Sequence, residues 1–191
     1  MPVRIPIAGG GSAPEPPAYG GLGENGWARG RTFLEWIDAA AQVRGEIESA
    51  FDAVEIEDAM RRFFTHYPRK VRVAVFAECQ EIDSRIAVAQ AEHLFSLGQR
   101  IWMRIFNADE CADLLRFFAG AGAPLPLFIF FSDDRREFAR WGPRPGALQD
   151  PGAQHEERNA EALERARDAA EHGRELAREF RALLEPRLGA G

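Results

Sequence analysis

Apolar and polar positions along this chain keep either a helical or a strand-like rhythm, and the changes of rhythm divide it into elements. Thr32 with Glu35 has the spacing of a capping box, and Phe33, Trp36, Ile37, Ala40, Val43 and Ile47 follow at helical intervals, so a helix is predicted over about 32–48. A second start falls at Asp52 with Glu55, where Phe51 and Ile56 would form a hydrophobic staple. Met60, Phe63 and Phe64 supply its apolar face before Pro68. Residues 71–76 are rich in β-branched side chains and bounded by Lys70 and Glu78, as expected of a buried strand. Ala87, Ala91, Leu94 and Phe95 then recur at helical spacing before Gly98, which predicts a helix over about 80–97. Residues 101–106 are again strand-like, and Ala112, Leu115, Phe118 and Ala119 mark a helix that stops at Gly120 and Gly122. Residues 127–131 form an unbroken apolar run, too short for a helix and suited to a strand buried on both faces at the centre of a sheet. After the turn at 132–134, residues 138–141 read as its antiparallel partner, giving the order β-α-β-α-β-β.

The two ends follow other patterns. Residues 1–30 contain Pro14, Pro16, Pro17 and many glycines and read as an extended arm, in which Val3, Ile5, Ile7, Tyr19 and Trp27 could lie along a groove. A long helix is predicted over 154–185, where Leu163, Ala166, Ala170, Ala177, Phe180 and Leu184 keep a three-four rhythm and Gly173 is the weak point. That seam needs a cover, either the first two helices or the same helix of a second copy in a homodimer. Three parts are therefore expected: an arm over 1–30, an α/β domain over 31–150, and the long C-terminal helix over 151–191.

Composition narrows the function. With 191 residues, 46% of them hydrophobic, the chain can bury one core. A net charge of −6 removes electrostatic support for binding nucleic acid or an anionic membrane, and no apolar run approaches membrane-spanning length. Pro2 and Pro6 interrupt the start, which lacks the continuous apolar core of a signal peptide. Cys79 and Cys111 are too few for a disulfide framework, so a reducing cytoplasm is the expected compartment. Cys111, flanked by Glu110 and Asp113, reads as a helix-packing residue. His66, His93, His155 and His172 fall in separate segments, so neither a zinc site nor another cofactor is expected. No nucleophile elbow, phosphate-binding glycine loop or dinucleotide fingerprint occurs.

Three local features remain. Cys79 follows the first predicted strand at the start of a helix, Pro126 immediately precedes the apolar run, and Trp141-Gly142-Pro143-Arg144-Pro145 closes the hairpin. In this element order they resemble the thioredoxin-like superfamily, and the last motif is similar to the hairpin ending of a bacterial thioredoxin-like subfamily with a short Trp-Cys-Gly-Asp active stretch. The resemblance covers roughly residues 31–148. It implies a thioredoxin-like α/β fold, with a central mixed sheet of about four strands flanked by helices, and a cis-proline at Pro126 facing Cys79.

The chain departs from that pattern where the redox chemistry would sit. It reads Phe76-Ala77-Glu78-Cys79-Gln80-Glu81-Ile82-Asp83, with Ile82 in place of a second cysteine, so no resolving thiol can close an intramolecular disulfide. Backbone donors at a helix start favour a thiolate, whereas the charges of Glu78, Glu81 and Asp83 oppose it if they point at the sulfur. The expected function is binding or assembly with a partner protein and little or no redox activity, through a surface built from Cys79, Leu125, Pro126, Trp141 and Arg144. The alternative is a single-cysteine thiol–disulfide oxidoreductase, with Cys79 as nucleophile forming mixed disulfides with glutathione or a partner protein.

Overall fold

The structure is a computed structural model, and it describes residues 22–120, 122–143 and 169–188. Strand β1 (Val71–Ala77) is its axis. Val71, Val73, Val75 and Ala77 point to one face and Ala74 and Phe76 to the other, and helices cover both faces, which is why the strand is apolar almost throughout. Beside it run β2 (Ile101–Asn107), β3 (Leu127–Ser132) and β4 (Glu137–Trp141), in the spatial order β2-β1-β3-β4. The β1–β2 pair is parallel, while β1–β3 and β3–β4 are antiparallel, so the sheet is mixed.

Seven helices are described: α1 (Glu24–Trp27), α2 (Phe33–Ala39), α3 (Arg44–Asp52), α4 (Asp58–Thr65), α5 (Ile82–Ser96), α6 (Ala112–Ala119) and α7 (Ala169–Leu184). On one face α5 lays Ala87, Val88, Ala91 and Leu94 against the sheet, and α7 adds Leu176, Phe180 and Leu184. Phe180 is fully buried among Phe95, Phe128, Phe130 and Trp141, with ring centroids 5.3–5.5 Å away. Burial of such a ring stabilises the fold by about 2–3 kcal/mol. The opposite face is smaller, with Leu115 and Phe118 of α6, Leu22 and Trp27 over Phe76, Phe106 and Phe131. The resulting α/β architecture is thioredoxin-like.

Several predicted boundaries move. The helix expected over 32–48 starts with its capping box, Thr32 N–H donating to Glu35 Oε2 at 2.7 Å and Glu35 N–H to Thr32 Oγ1 at 3.3 Å, but it breaks at Ala40. Ala40 is fully buried with φ −105° and ψ 36°, and a 3₁₀ turn (Ala41–Val43) redirects the chain so that α2 meets β2 while α3 crosses α5. The start expected at Asp52 does not form, because Asp52 is the last residue of α3 and Glu57 precedes α4. Phe51 stacks on Phe33 at 5.8 Å.

The extended arm expected over 1–30 gives way, from Leu22 on, to packed structure. Leu22 is buried, α1 forms one helical turn, and Arg31 pairs with the outer side of β2, its N–H and C=O each bonded to Ile105 at 2.8 Å. Residues 1–21 and the expected helical stretch 154–168 lie outside the described residues. Over 169–184 the apolar seam of α7 is covered within the chain, by α4, α5 and the sheet. No described helix is long and apolar enough to cross a membrane.

Candidate functional site

The register gathers three of the predicted residues at one end of the sheet. Phe76 lies opposite Leu127 and Phe128 opposite Trp141, so the end of β1, the start of β3 and the end of β4 coincide. Cys79 follows β1, Pro126 immediately precedes β3, and Trp141 ends β4. The Leu125–Pro126 and Gly142–Pro143 peptides are both cis. Arg144, with Pro145, lies outside the described residues.

Gly142 explains why the hairpin motif and Pro126 belong together. Its φ is +132°, and a Cβ there would sit 1.9 Å from the Pro126 carbonyl oxygen, so only glycine lets the end of β4 pass over the start of β3. The preceding Trp141 is not a surface residue. It is 4% exposed, its ring meets Phe128 and Phe180, and its indole N–H donates to Glu179 of α7. Trp141 therefore seats the C-terminal helix beneath the site. Pro126 is itself buried, and the Leu125 side chain turns to the α6 face.

Cys79 is half-buried and packs against the larger core cluster. It sits in the turn before α5, whose first residue is Ile82, and Gln80 Nε2 contacts its Sγ at 3.6 Å. The carboxylates expected to crowd the sulfur are largely engaged elsewhere. Glu78 accepts hydrogen bonds from Asn107 Nδ2 and from the Asp109 N–H, each at 3.0 Å, and Glu81 accepts from Ser84 Oγ at 3.4 Å. Glu78 thus ties the Cys79 loop to the loop after β2.

The sequence reading missed Arg85. Only 7% exposed, it donates to the carbonyls of Cys79 at 2.9 Å and Gln80 at 3.0 Å, and to Glu46 Oε2 on α3 at 2.7 Å. A guanidinium with five donors suits this role, holding a turn whose carbonyls have no helix to join. The signal was its spacing: Arg85 stands three and four residues before the buried Val88 and Ala89, where a surface arginine would not be. Ile82, Arg85 and Ile86 also line, with Val43 and Ala50, a groove of about 500 Å³ between α3 and α5.

Cys111 belongs to the other face. It is buried in the α6 cluster, both cysteines are free thiols, and burial pushes the Cys111 thiol up while Arg29 pulls it back. Arg29 also pairs with Asp113 at 2.6 Å, which lowers that carboxylate to about 2. Among the described residues no group of His, Cys, Asp and Glu could hold a metal.

Residues 30–161 match the protein-family model described as Thioredoxin. Among solved structures, an HIV epitope scaffold superposes with a TM-score of 0.67 at 18% identity, over 86% of this chain and 96% of that one. A protein of unknown function from Pseudomonas aeruginosa gives 0.60 at 20% identity, again over 86% and 96%. At such identities the likeness concerns the fold. The search of curated proteins found no match. With well over half of its length inside the family match, and with a sheet whose strand order and directions agree, this chain belongs to the thioredoxin family.

Proposed function

We propose that this is a thioredoxin-fold protein without dithiol chemistry, acting in binding or assembly through the sheet end that carries Cys79, Leu125 and Pro126. The partner is a protein whose extended segment lies along the backbone at Leu125 and Pro126, with Arg144 following the hairpin and Trp141 supporting the surface from below. The observation that carries this reading is Ile82. The residue three positions after Cys79 is the first of α5 and lines an apolar groove, so the place of a resolving thiol is taken by a hydrophobic side chain. The Cys79 turn is held by Arg85, with no need for a disulfide.

A second reading has one observation in its favour. Glu78 is bonded to Asn107 and Asp109, which ties to the loop after β2 a carboxylate expected to oppose a thiolate at Cys79. Under this reading the Cys79 thiolate attacks a disulfide, forms a mixed disulfide and expels one thiolate; a glutathione thiolate then attacks the sulfur held on Cys79, forming a new disulfide with it and expelling the Cys79 thiolate. Glutathione-dependent reduction of a small disulfide separates the two readings. Binding without redox chemistry predicts the same background rate for the natural chain and Cys79→Ser; a rate that depends on Cys79 overturns it in favour of the second. Buried Cys111 remains in both proteins and cancels.

A further inference from the structure

The far end of the sheet carries a second polar concavity. The chain enters β1 through Tyr67, Arg69 and Lys70 and leaves β3 at Ser132, at the opposite end of β1 from Cys79, roughly 20 Å away for a strand of this length. A surface pocket of about 380 Å³ opens there, lined by these residues together with Asp133, Asp134, Phe138 and Arg187. In a chain of net charge −6, three cations meet two carboxylates on this one pocket, a local excess of positive charge.

The cationic groups of the lining are placed to favour an anion, and its two acids, Asp133 and Asp134, are each paired with another side chain. Arg187 arrives on the 3₁₀ turn (Glu185–Leu188) that follows α7, and its guanidinium stacks on the Phe138 ring at 4.3 Å rather than on a carboxylate. Stacking fixes the plane of the fork and leaves its edge donors for a ligand. Lys70 has Asp133 for a partner at 4.0 Å, with side chains 49% and 70% exposed, an arrangement worth little. The other acid, Asp134, is already held by the Ser132 hydroxyl and by Arg136 at 3.2 Å. Tyr67 is buried and donates its hydroxyl proton to the Leu184 carbonyl at 3.3 Å, which fixes one wall. Burial pushes its phenol up, while the positive charge of Arg187 and Arg69 acts in the opposite sense.

We propose that this pocket binds a small organic molecule through a phosphoryl group. Guanidinium forks match phosphoryl oxygens in paired hydrogen bonds, and the Lys70 ammonium adds a point charge. The volume, at the lower end of the ~300–1,000 Å³ typical of ligand sites, exceeds the needs of a bare ion and leaves room for an organic part beside Phe138.

The test titrates the full chain with phenyl phosphate and with inorganic phosphate, by calorimetry or by chemical shifts of Lys70 and Ser132. Phenyl phosphate should bind saturably with a Kd on the order of 1 mM, as its few heavy atoms allow, and inorganic phosphate more weakly. Arg187→Ala and Lys70→Ala should each weaken phenyl phosphate about ten-fold. Lys70 is exposed, so its variant reports even if loss of the Phe138 stack destabilises the Arg187 variant. Arg116→Ala on α6 should leave the affinity unchanged. Absence of saturation, unaltered binding in the Lys70 variant, an equal loss in the Arg116 variant, or equal binding of the two phosphates would each overturn the assignment.

Discussion

Replacing Arg85 by methionine tests whether one buried guanidinium builds the Cys79 turn. Methionine keeps an unbranched apolar stem, shorter than that of arginine, and removes all its donors. Three bonds are lost, to the carbonyls of Cys79 and Gln80 and to Glu46. The Glu46 side chain is 62% exposed and returns to water, so that pair accounts for well under about 1 kcal/mol. The two carbonyls lose charge-assisted bonds of about 1–1.5 kcal/mol each in a site that water can partly reach, and buried methionine recovers a fraction of this. The net expectation is a loss of about 2 kcal/mol, or a fall in Tm of about 4–8 °C for a chain of this size. Urea unfolding followed by tryptophan fluorescence measures the first quantity, and the rate of Cys79 with a thiol reagent measures the release of the turn. That rate should rise in Arg85→Met and stay unchanged in Glu46→Gln. A stability change below about 0.5 kcal/mol, or a large one with an unaltered Cys79 rate, would refute the role assigned to Arg85.

Gly142→Ala forces a Cβ against the Pro126 carbonyl oxygen at a backbone angle that alanine avoids. A loss of about 2–4 kcal/mol is expected, read as a lower urea midpoint with altered Trp141 fluorescence. Glu92 is pushed up by burial, so its charged form is disfavoured in the folded state. A raised carboxylate contributes stability that is complete below its ordinary value of 4.5 and is lost as pH rises through the folded value. Glu92→Gln should therefore raise the urea midpoint at pH 7, relative to the natural chain, and the gain should vanish near pH 4, where the two proteins converge.

The strands were legible because burial on both faces demands uninterrupted apolar runs, and β1 and β3 supply them in Val71, Val73, Val75 and Phe128–Phe131. The Thr32–Glu35 box was legible because both of its bonds are local. The break at Ala40 was not, since no proline or glycine marks it and the turn exists only so that α2 and α3 can pack on different neighbours. The Asp52–Glu55 pattern failed for the complementary reason: its spacing suits a helix start, but packing of Phe51 on Phe33 and His93 carries α3 through Asp52. At the site, Cys79 and Pro126 could be placed from the element order, whereas the task of Arg85 depends on an irregular turn, five and six residues before it, that leaves two carbonyls outside any helix. Trp141 could be placed at the hairpin end from its motif, but its inward orientation depends on α7, which is remote in sequence.

The bridge between Arg31 and Ile105 bears on how copies of this chain behave in a crowded solution. It occupies hydrogen-bonding groups at the middle of the outermost strand on that side, leaving only a few residues of β2 for a foreign strand to line up with. The segment ahead of α2 is thus a hem on the sheet, one that keeps neighbouring molecules from zipping together along β2.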